Sequence, residues 1–494
     1  MANVGFDNDK YLATQSEHIR ERIAQFGGKL YLEFGGKLFD DFHASRVLPG
    51  FQPDSKLRML QPLTSDVEIV VVVNATDIEK NKVRGDLGIS YVDDCLRLMD
   101  SFHALGLFVG SVVITQYAAQ SAADSFIKRL DKLGVRYYRH YPIAGYPSDV
   151  AHIVSDEGFG KNDYIETSHS LVVITAPGPG SGKMATCLSQ LYHEHQHGVA
   201  AGYAKFETFP IWNLPLKHPV NLAYEAATAD LNDVNMIDPF HLDAYGTTTV
   251  NYNRDVEIFP VLRAIFERIY GKCPYQSPTD MGVNMVGNCI VDDEVCRAAS
   301  RMEILRRYYA AQVLHVRGEA DDEMLRKLEL VMRQAEVAPD ICPAVSAALA
   351  KEESTGAPAG AMVLPNGALV TGKTSSTLGA ASAMLLNALK SLGGIRDQFE
   401  LISQQVLEPV CHLKTTYLGH HNPRLHTDEV LLALTISALT NPLADLAQQQ
   451  LSALAGSDAH FSVIISEEDI KLYKRLGINV TCEPKYEVKK LYHK

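Results

Sequence analysis

The sequence has no apolar run long enough to cross a bilayer, no excess of positive charge and no C-x-x-C pair. The longest apolar stretches, around Val67–Val73 and Leu105–Ile114, have the length of buried strands and not of a membrane span. Lysine and arginine number 46 against 59 aspartates and glutamates, a net charge of −13. Non-specific nucleic-acid binding needs cations that replace phosphate counterions, so we expect neither a membrane nor a nucleic acid as a partner.

Cysteine usage and the first residues bear on the compartment. The eight cysteines are scattered from Cys95 to Cys482, which is typical of reduced thiols in a long chain. The start "MANVGFDNDKYLATQ" lacks a basic region followed by an apolar run, so no secretory signal is predicted. Both observations favour a cytoplasmic location.

The first third of the chain alternates strand-like apolar segments with amphipathic helical patterns. The predicted strands are residues 29–34, 67–73, 110–117, 135–141 and 171–176. Helices are predicted at 91–106 and 121–134, the second ending at Gly134. This alternation predicts an α/β fold whose mostly parallel sheet carries helices on its faces.

Changes in composition and in predicted secondary structure along the chain predict three parts. They are an α/β domain over residues 1–255, a helical segment over 256–335 packed on it, and a smaller α+β C-terminal domain over 336–494. Pro219 suits the first position of a helix that runs to about Leu231. In the last part, "AMVLPNGALVTGK" reads as a hairpin with a primed turn at Asn366-Gly367, followed by a helix from Ser376 to Leu392.

The stretch "LVVITAPGPGSGKMATCLSQLYHEHQHG" places a glycine-rich loop between a predicted strand and a helix. Such a loop presents amide groups and a helix N-terminus to a phosphate. The match to G-x-x-x-x-G-K-[ST] is imperfect, because Pro177 replaces the first glycine and Met184 replaces the residue that binds Mg²⁺. The alternative is a tight turn whose glycines serve packing. The candidate anion-binding residues are Gly178, Gly180, Ser181, Gly182 and Lys183.

A second loop, "VTGKTSSTLGAASA", follows the predicted hairpin and precedes the predicted helix. Gly372, Lys373 and Thr374 supply donors at this position and form a second candidate anion site. The alternative is simple N-capping of the helix by Ser375 or Ser376. Lys37 or Lys373 could help Lys183 to neutralise a bound phosphate.

The same helix that follows the glycine-rich loop contains His193-Glu194-x-x-His197, the spacing of a zinc peptidase. No third ligand is assigned, although Glu207 is an available carboxylate, and Gly198 ends the helix. The eleven residues from Gly182 to His193 span ~16 Å along a helix, so one active site cannot use both motifs. The alternative is a polar helix end with histidines near the negative end of the dipole.

Other polar clusters admit both functional and structural interpretations. Asp230, Asp233, Asp238 and His241 could hold a divalent cation, or could cap helices and turns. Asp280 and Asn284 lie in "SPTDMGVNMVGN", where binding and structural roles are equally open. In the segment "LGHHNPRLHTDE", Thr427 is the expected helix cap. The candidate acids or bases are Asp230, Asp233, His241 and His420.

Five long segments, taken together, resemble one bacterial family. They are "KLYLEFGGKLFDDFHASRVLPGF", "TAPGPGSGKMATCLSQLYHE", "KFETFPIWNLPLKHPVNLAYEAATADLNDVNMIDPFH", "SPTDMGVNMVG" and "GINVTCEPKY". The chain is similar over nearly its whole length to the domain-of-unknown-function family numbered eighteen forty-six. Some members carry the label ATP-dependent peptidase, but the family has no established activity. The resemblance therefore implies no catalytic residue for this sequence.

These observations lead to one functional hypothesis and two alternatives. We expect a cytoplasmic enzyme that binds a phosphorylated or otherwise anionic small molecule, a nucleotide included, at the glycine-rich loop. The first alternative is a zinc metallopeptidase using the H-E-x-x-H helix, and the second is a non-catalytic assembly protein. A homo-oligomer is expected from base rates alone. The catalytic residues, any metal and any cofactor are left open.

Overall fold

In the computed structural model of the 494-residue chain, the described residues are 4–35, 39, 41–84, 87–231 and 233–488. They form two compact units, one up to Ser300 and one from Arg301 onwards. The division falls inside a helix, Asp293–Val316. The predicted three-part division at residues 255 and 335 stays a prediction.

The N-terminal unit contains one large sheet and two small antiparallel pairs. The large sheet has seven strands in the order β11-β8-β1-β7-β2-β5-β6, and every pairing in it is parallel. The strands are β1 (Leu30–Phe34), β2 (Val67–Asn74), β3 (Val83–Arg84), β4 (Ile89–Ser90), β5 (Phe108–Thr115), β6 (Tyr137–Arg139), β7 (Leu171–Thr175), β8 (Gly202–Phe206), β9 (Asn235–Ile237), β10 (Val250–Tyr252) and β11 (Gly282–Val283). The predicted α/β class with a mostly parallel sheet is confirmed.

Helices flank this sheet, and the last of them, α13, continues into the C-terminal unit. They are α1 (Asn8–Gln25), α2 (Phe42–Val47), α3 (Ser55–Arg58), α4 (Ala75–Glu79), α5 (Tyr91–Ala104), α6 (Ser121–Leu133), α7 (Val150–Ile153), α8 (Lys183–Gln196), α9 (Pro219–Ala227), α10 (Pro239–Tyr245), α11 (Asn253–Tyr270), α12 (Pro278–Met281) and α13 (Asp293–Val316). Gly134 ends α6 in the left-handed conformation, and Pro219 opens α9, as predicted.

The middle of the sheet is apolar on both sides. Strand β2, "VEIVVVVN", is buried from Val67 to Val73, and β7, "LVVIT", is buried throughout. β-Branched side chains favour this environment, because they pack well on a pleated surface covered by helices. On one face, Val70, Val72, Val172 and Ile174 pack with residues of α8 and α11.

The chain reverses its direction of travel across the sheet between β2 and β7. From β2 the chain continues to β5 and β6 on one side, whereas from β7 it continues to β8 and β11 on the other. Adjacent strands whose connections leave in opposite directions open a crevice outside their carboxyl ends, where α/β proteins commonly bind ligands. The glycine-rich loop follows β7 at this position.

The C-terminal unit is a smaller α+β structure. Its sheet has the order β13-β12-β14-β15, and only the β14–β15 pairing is parallel. The strands are β12 (Ala359–Val363), β13 (Leu369–Lys373), β14 (Asp458–Phe461) and β15 (Asn479–Cys482). The helices are α14 (Asp322–Gln334), α15 (Pro343–Thr355), α16 (Ala380–Leu392), α17 (Gln404–Thr416), α18 (Thr427–Ala438), α19 (Pro442–Gln448) and α20 (Glu467–Arg475). The predicted small α+β domain is confirmed.

Three local predictions in the C-terminal unit are wrong. The hairpin is present, but its turn is not a primed one. Gly367 has a φ of +83°, whereas Asn366 is not among the described residues with positive φ. Helix α16 begins at Ala380 with Gly379 as its N-cap, not at Ser376. Helix α18 is capped by His426, and Thr427 is its first helical residue.

No helix in the described part of the chain is long and apolar enough to cross a membrane.

Candidate functional site

The glycine loop, residues 176–182, is held to the protein through its carbonyl groups. The Asn74 side chain, at the end of β2, donates to the Gly180 carbonyl over 3.3 Å. The Thr115 hydroxyl, at the end of β5, donates to the Ser181 carbonyl over 2.7 Å. The Ser181 hydroxyl donates to the Gly178 carbonyl over 2.7 Å. Residues from two neighbouring strands, β2 and β5, therefore fix the loop at the carboxyl edge of the sheet.

The amide groups of the same loop have no such partners. Within the described residues, the amides from Gly180 to Ala185 donate to no protein acceptor, and the first internal bond of the helix is Thr186 to Gly182. Ser181 is fully buried, whereas Gly180 is exposed and an added Cβ there would meet nothing within 4 Å. The carbonyl groups of the loop are thus bound to the protein, while its amide groups stay unpaired. An anion site needs this arrangement, because the amides are the groups that donate to the anion.

Steric reasons also require two of the glycines. A Cβ at Gly178 would overlap the phenol ring of Tyr91, and Gly182 has a φ of +91° at the N-cap of α8. Packing and backbone conformation therefore account for Gly178 and Gly182. This does not explain the unpaired amides of the loop. Lys183 is half-buried at the start of α8. Lys37, proposed to assist it, lies outside the described residues.

The second predicted anion loop has a different setting from the one expected. Gly372 and Lys373 lie on β13, and the Thr374 amide donates to the Pro358 carbonyl over 2.8 Å. A Cβ at Gly372 would overlap the backbone of α16. Without a helix start at this point, the anion-binding role of Gly372, Lys373 and Thr374 stays a prediction that the local geometry does not favour.

The H-E-x-x-H residues serve the packing of α8. The Glu194 carboxylate is fully buried and accepts from Lys29 over 2.6 Å and from Tyr31 over 2.5 Å. The His197 ring contacts the His193 carbonyl over 2.7 Å. In the described part of the chain, no group of three or more His, Cys, Asp or Glu side chains could hold a metal ion. The geometry gives no support to the metallopeptidase alternative.

A pocket lies at the carboxyl end of β8, between residues of α1, β10, α11 and α12. We call it the Lys205 pocket, and its volume is about 380 Å³. Trp212, Pro210, Val250 and Met285 form apolar parts of its wall. Its charged or titratable lining residues are His18, Arg22, Lys205, Glu207, His241, Asp255 and Asp280. The pocket thus combines an apolar wall with a few polar groups, as is usual for small-molecule sites.

One cation and two carboxylates of the pocket lining contact each other. The Lys205 ammonium lies 2.6 Å from Asp255 Oδ2 and 2.8 Å from Glu207 Oε1. The side chains of Lys205, Glu207 and Asp255 are 13%, 25% and 14% exposed. Burial opposes the charge on Lys205, but Asp255, Glu207 and Glu33 outweigh it, so the pKa of Lys205 is above its usual value.

Glu207 is the member of this cluster whose pKa lies near neutrality. Burial raises the pKa of the Glu207 carboxyl to about 7; the Lys205 ammonium opposes the rise and the Asp255 carboxylate adds to it. A carboxyl group with a pKa near neutrality can both accept and donate a proton under ordinary conditions. Carboxyl groups with such shifts are concentrated at functional sites.

Arg22 is a cation of the pocket that has no carboxylate partner among the described residues. Its guanidinium donates to the carbonyls of Asp280, over 2.5 Å, and Gly282, over 3.2 Å. None of the described ion pairs includes Arg22, and the side chain is half-buried. Two carbonyl contacts orient the guanidinium without neutralising its charge. The position therefore suits an anionic group of a ligand.

The predicted acidic run is divided among structural roles. Asp238 is fully buried, caps α10 and accepts from the Thr279 hydroxyl over 2.6 Å. Asp233 accepts from Arg254 over 2.7 Å, and Asp230 is exposed. His241 is the member of this set that lines the Lys205 pocket. The capping interpretation is thus the better one for Asp238.

Asp280 and Asn284, for which both roles were open, make structural contacts, and a binding role for them stays a prediction. Asp280 completes a capping box with Ser277, and the Asn284 amide donates to the carbonyls of Thr208 and Pro210. Both residues line the Lys205 pocket. His420 is an exposed residue of the C-terminal unit and is not among the pocket's lining residues.

We did not predict Arg22, Lys205 or Asp255 from the sequence. Lys205 and Glu207 flank Phe206 at the end of β8, so alternation places both charged side chains on the same side of an otherwise apolar strand end. That pattern was a usable signal. Arg22 and Asp255 lie on helices with many other charged residues, and no local signal singles them out.

Family models cover almost the whole sequence. The model described as Domain of unknown function DUF1846, N-terminal, matches residues 4–336, and its C-terminal counterpart matches residues 340–492. The chain belongs to the DUF1846 family. The resemblance found in the sequence is confirmed, and the description of the DUF1846 family names no activity.

Curated relatives within this family match end to end. A UPF0371 protein of Streptococcus uberis is 56% identical over 494 residues, which cover 100% of both chains. A UPF0371 protein of Streptococcus equi subsp. equi is 57% identical over 492 residues, again covering 100% of both chains. A solved structure of the Aeropyrum pernix ORC2 protein in its ADP form matches 87% of this chain and 85% of its own, at 11% identity and a TM-score of 0.16. That similarity is too low to support an argument.

Proposed function

We propose that this DUF1846 protein is an enzyme that acts on a small anionic molecule bound at the carboxyl edge of its parallel sheet. One observation carries the proposal: Arg22, a half-buried cation without a carboxylate partner in the described residues, faces a pocket of about 380 Å³. An unpaired cation in a pocket is stabilised when a ligand brings the opposite charge. The carboxyl cluster beside it supplies groups for chemistry.

The experiment is calorimetric titration of the purified protein with inorganic phosphate, sulfate, citrate and a sugar phosphate. Arg22→Met removes the guanidinium, and Arg20→Met, on the exposed side of the same helix, is the matched control. We expect at least one anion to bind wild type and Arg20→Met alike, and at least tenfold more weakly to Arg22→Met. Equal affinities in all three proteins would remove Arg22 from the proposal.

A second anion position is proposed at the glycine loop. Its specific support is the unpaired amides of residues 180–185 beside Lys183, at the point where the sheet connections diverge. Thr186, in the first turn of α8, is fully buried, and its hydroxyl has no hydrogen-bond partner in the described structure. A phosphate bound to the loop would supply acceptors for several of these donors.

Titration with ATP, GTP and a sugar phosphate tests the loop, with Lys183→Ala against the exposed control Lys161→Ala. We expect binding to wild type and Lys161→Ala that weakens in Lys183→Ala. Equal heats for Lys183→Ala and wild type would end the proposal for the loop, and would leave the Lys205 pocket unaffected.

The state and location of the protein are part of the same proposal. We propose a cytoplasmic homo-oligomer, since closed symmetric assemblies are the commonest state of soluble enzymes. Sedimentation velocity of the full chain over a range of concentrations tests the assembly. A single species at the mass of one chain would contradict it.

A further inference from the structure

The Lys205 cluster holds more carboxylates than its cation can neutralise. Lys205 contacts Asp255 through both carboxylate oxygens, at 2.8 and 2.6 Å, and contacts Glu207 through one, at 2.8 Å. With both acids ionised the trio carries one net negative charge. If Glu207 takes up a proton, the trio becomes neutral and the Lys205–Asp255 pair remains intact. Of the two acids, Glu207 is the one whose protonation leaves the two-oxygen contact between Lys205 and Asp255 in place.

All three members of the cluster line the pocket, and Glu207 offers it the most exposed side chain. Glu207 directly follows β8. Lys205 and Asp255 form an ion pair beside it. A ligand in the pocket could therefore contact the Glu207 carboxyl while Lys205 and Asp255 fix its position and charge.

We propose that Glu207 is the proton-transfer residue of the Lys205 pocket and that Lys205 and Asp255 are positioning residues. This inference rests on the proposed function, because it places the substrate's anionic group at Arg22. In the reaction class we infer, the Glu207 carboxylate removes a proton from an acidic C–H or O–H of the anionic substrate. The electron pair stays on the substrate, and the resulting carboxyl returns the proton to another atom. No oxidant or reductant is needed.

Several titratable or charged groups of neighbouring elements surround Glu207. They are Lys205 on β8, Glu33 on β1, Asp255 on α11, Tyr224 on α9 and Tyr252 on β10. Burial keeps the pKa of Tyr224 and of Tyr252 above the usual value for tyrosine, so both phenols stay neutral near pH 7. His18 and His241 also line the pocket.

Anion binding should change the proton content of this site. A second negative charge in the pocket increases the proton affinity of Glu207, because like charges disfavour its ionised form. At pH 7.5 a carboxyl group with a pKa of about 7 is mostly ionised, so binding should draw on the order of half a proton from solvent. Sulfate is the appropriate probe, since it carries no titrating proton of its own near pH 7.

The test is calorimetry of sulfate binding at pH 7.5 in buffers of different ionisation enthalpy. The proteins are wild type, Glu207→Gln and Glu225→Gln. Glu225 is a half-buried carboxyl with a raised pKa that is absent from the pocket lining, which makes it the matched control. We expect wild type and Glu225→Gln to take up the same fraction of a proton, and Glu207→Gln to take up about half a proton less. Equal uptake in all three proteins would overturn the role of Glu207.

A second measurement separates failure of this inference from failure of the proposed function. If neither sulfate nor any of the other three anions binds, the anion site at Arg22 is refuted, and Glu207 is tested in the free protein by carbon NMR with labelled glutamate carboxyls. Glu207→Gln identifies the resonance. A midpoint between pH 6 and 8 supports the proton-transfer residue, and a midpoint below pH 5 overturns it.

Asp255→Asn, which removes a neighbouring negative charge, should move this midpoint to lower pH by about one unit if Asp255 sets it. An unchanged midpoint would remove Asp255 as a positioning residue.

Discussion

Replacing Lys205 by methionine removes the cation that contacts the half-buried carboxylates of Asp255 and Glu207. The ammonium lies 2.6 Å from Asp255 and 2.8 Å from Glu207, and the side chain is 13% exposed. Methionine fills most of the volume but neutralises neither acid. Removing one partner of a buried ion pair typically costs about 3–5 kcal/mol of folding free energy, because a buried charge is left without compensation. We expect a loss in that range at pH 8, and a smaller loss at pH 6, where Glu207 is protonated.

Trp212 makes this loss measurable in the N-terminal unit alone. It is the single tryptophan of the chain and it lines the Lys205 pocket, so its fluorescence follows unfolding of that unit. With a urea dependence of about 3 kcal/mol per molar, the expected loss lowers the midpoint by about 1–2 M. The comparison is run at pH 6 and at pH 8 with the same protein preparations.

The matched control is Lys161→Met. Lys161 is 61% exposed and pairs with the exposed Glu157, so its removal should change the free energy of unfolding by less than about 0.5 kcal/mol. If Lys205→Met stays within this limit at pH 8, the cluster is not a compensated buried charge and our reasoning about it is wrong. A loss that is the same at pH 6 and pH 8 would refute the part played by Glu207.

Three further predictions concern Glu207, Gly178 and Glu194. Because the pKa of Glu207 is raised in the folded state, wild type should lose stability relative to Glu207→Gln as the pH rises from about 5 to about 8, by about 2 kcal/mol in urea titrations; a parallel pair of curves would contradict this. Gly178→Ala should lower the free energy of unfolding by about 1–3 kcal/mol, since the new methyl group overlaps Tyr91; a neutral effect would show that the loop yields easily. Glu194→Gln leaves the Lys29 ammonium unpaired and should cost about 3 kcal/mol in urea titrations, and His193→Ala should leave the zinc content by elemental analysis unchanged from wild type; a fall in bound zinc in His193→Ala would restore the metallopeptidase alternative, in which the histidines are the metal ligands.

Local signals in the sequence were sufficient for much of the fold. The valines of β2, the left-handed Gly134 after α6 and Pro219 at the start of α9 each act over a few residues, so composition and spacing reveal them. Where two local signals compete, the prediction failed. The serines after β13 were read as a helix start, but the chain continues for several residues and begins α16 at Ala380, with Gly379 as its cap.

The Lys205 pocket could not be predicted in the same way. Arg22 comes from the first helix, Lys205 and Glu207 from the end of β8, Asp255 from α11 and Asp280 from α12. These residues are brought together by the order of the strands, which a single sequence does not encode in any short pattern. Glu207 was noticed only as an available carboxylate for zinc. Its environment, not its sequence neighbourhood, gives it a pKa near neutrality.

The strand order has a consequence for how the chain acquires its structure during synthesis. Strands β1 and β2 do not touch each other, because β7 lies between them and pairs with both. A nascent chain that ends before Leu171 therefore holds two buried-type strands with no common partner, and its apolar edges stay open until β7 has left the ribosome. We expect the first half of the sheet to depend on protection by chaperones until that strand closes the gap.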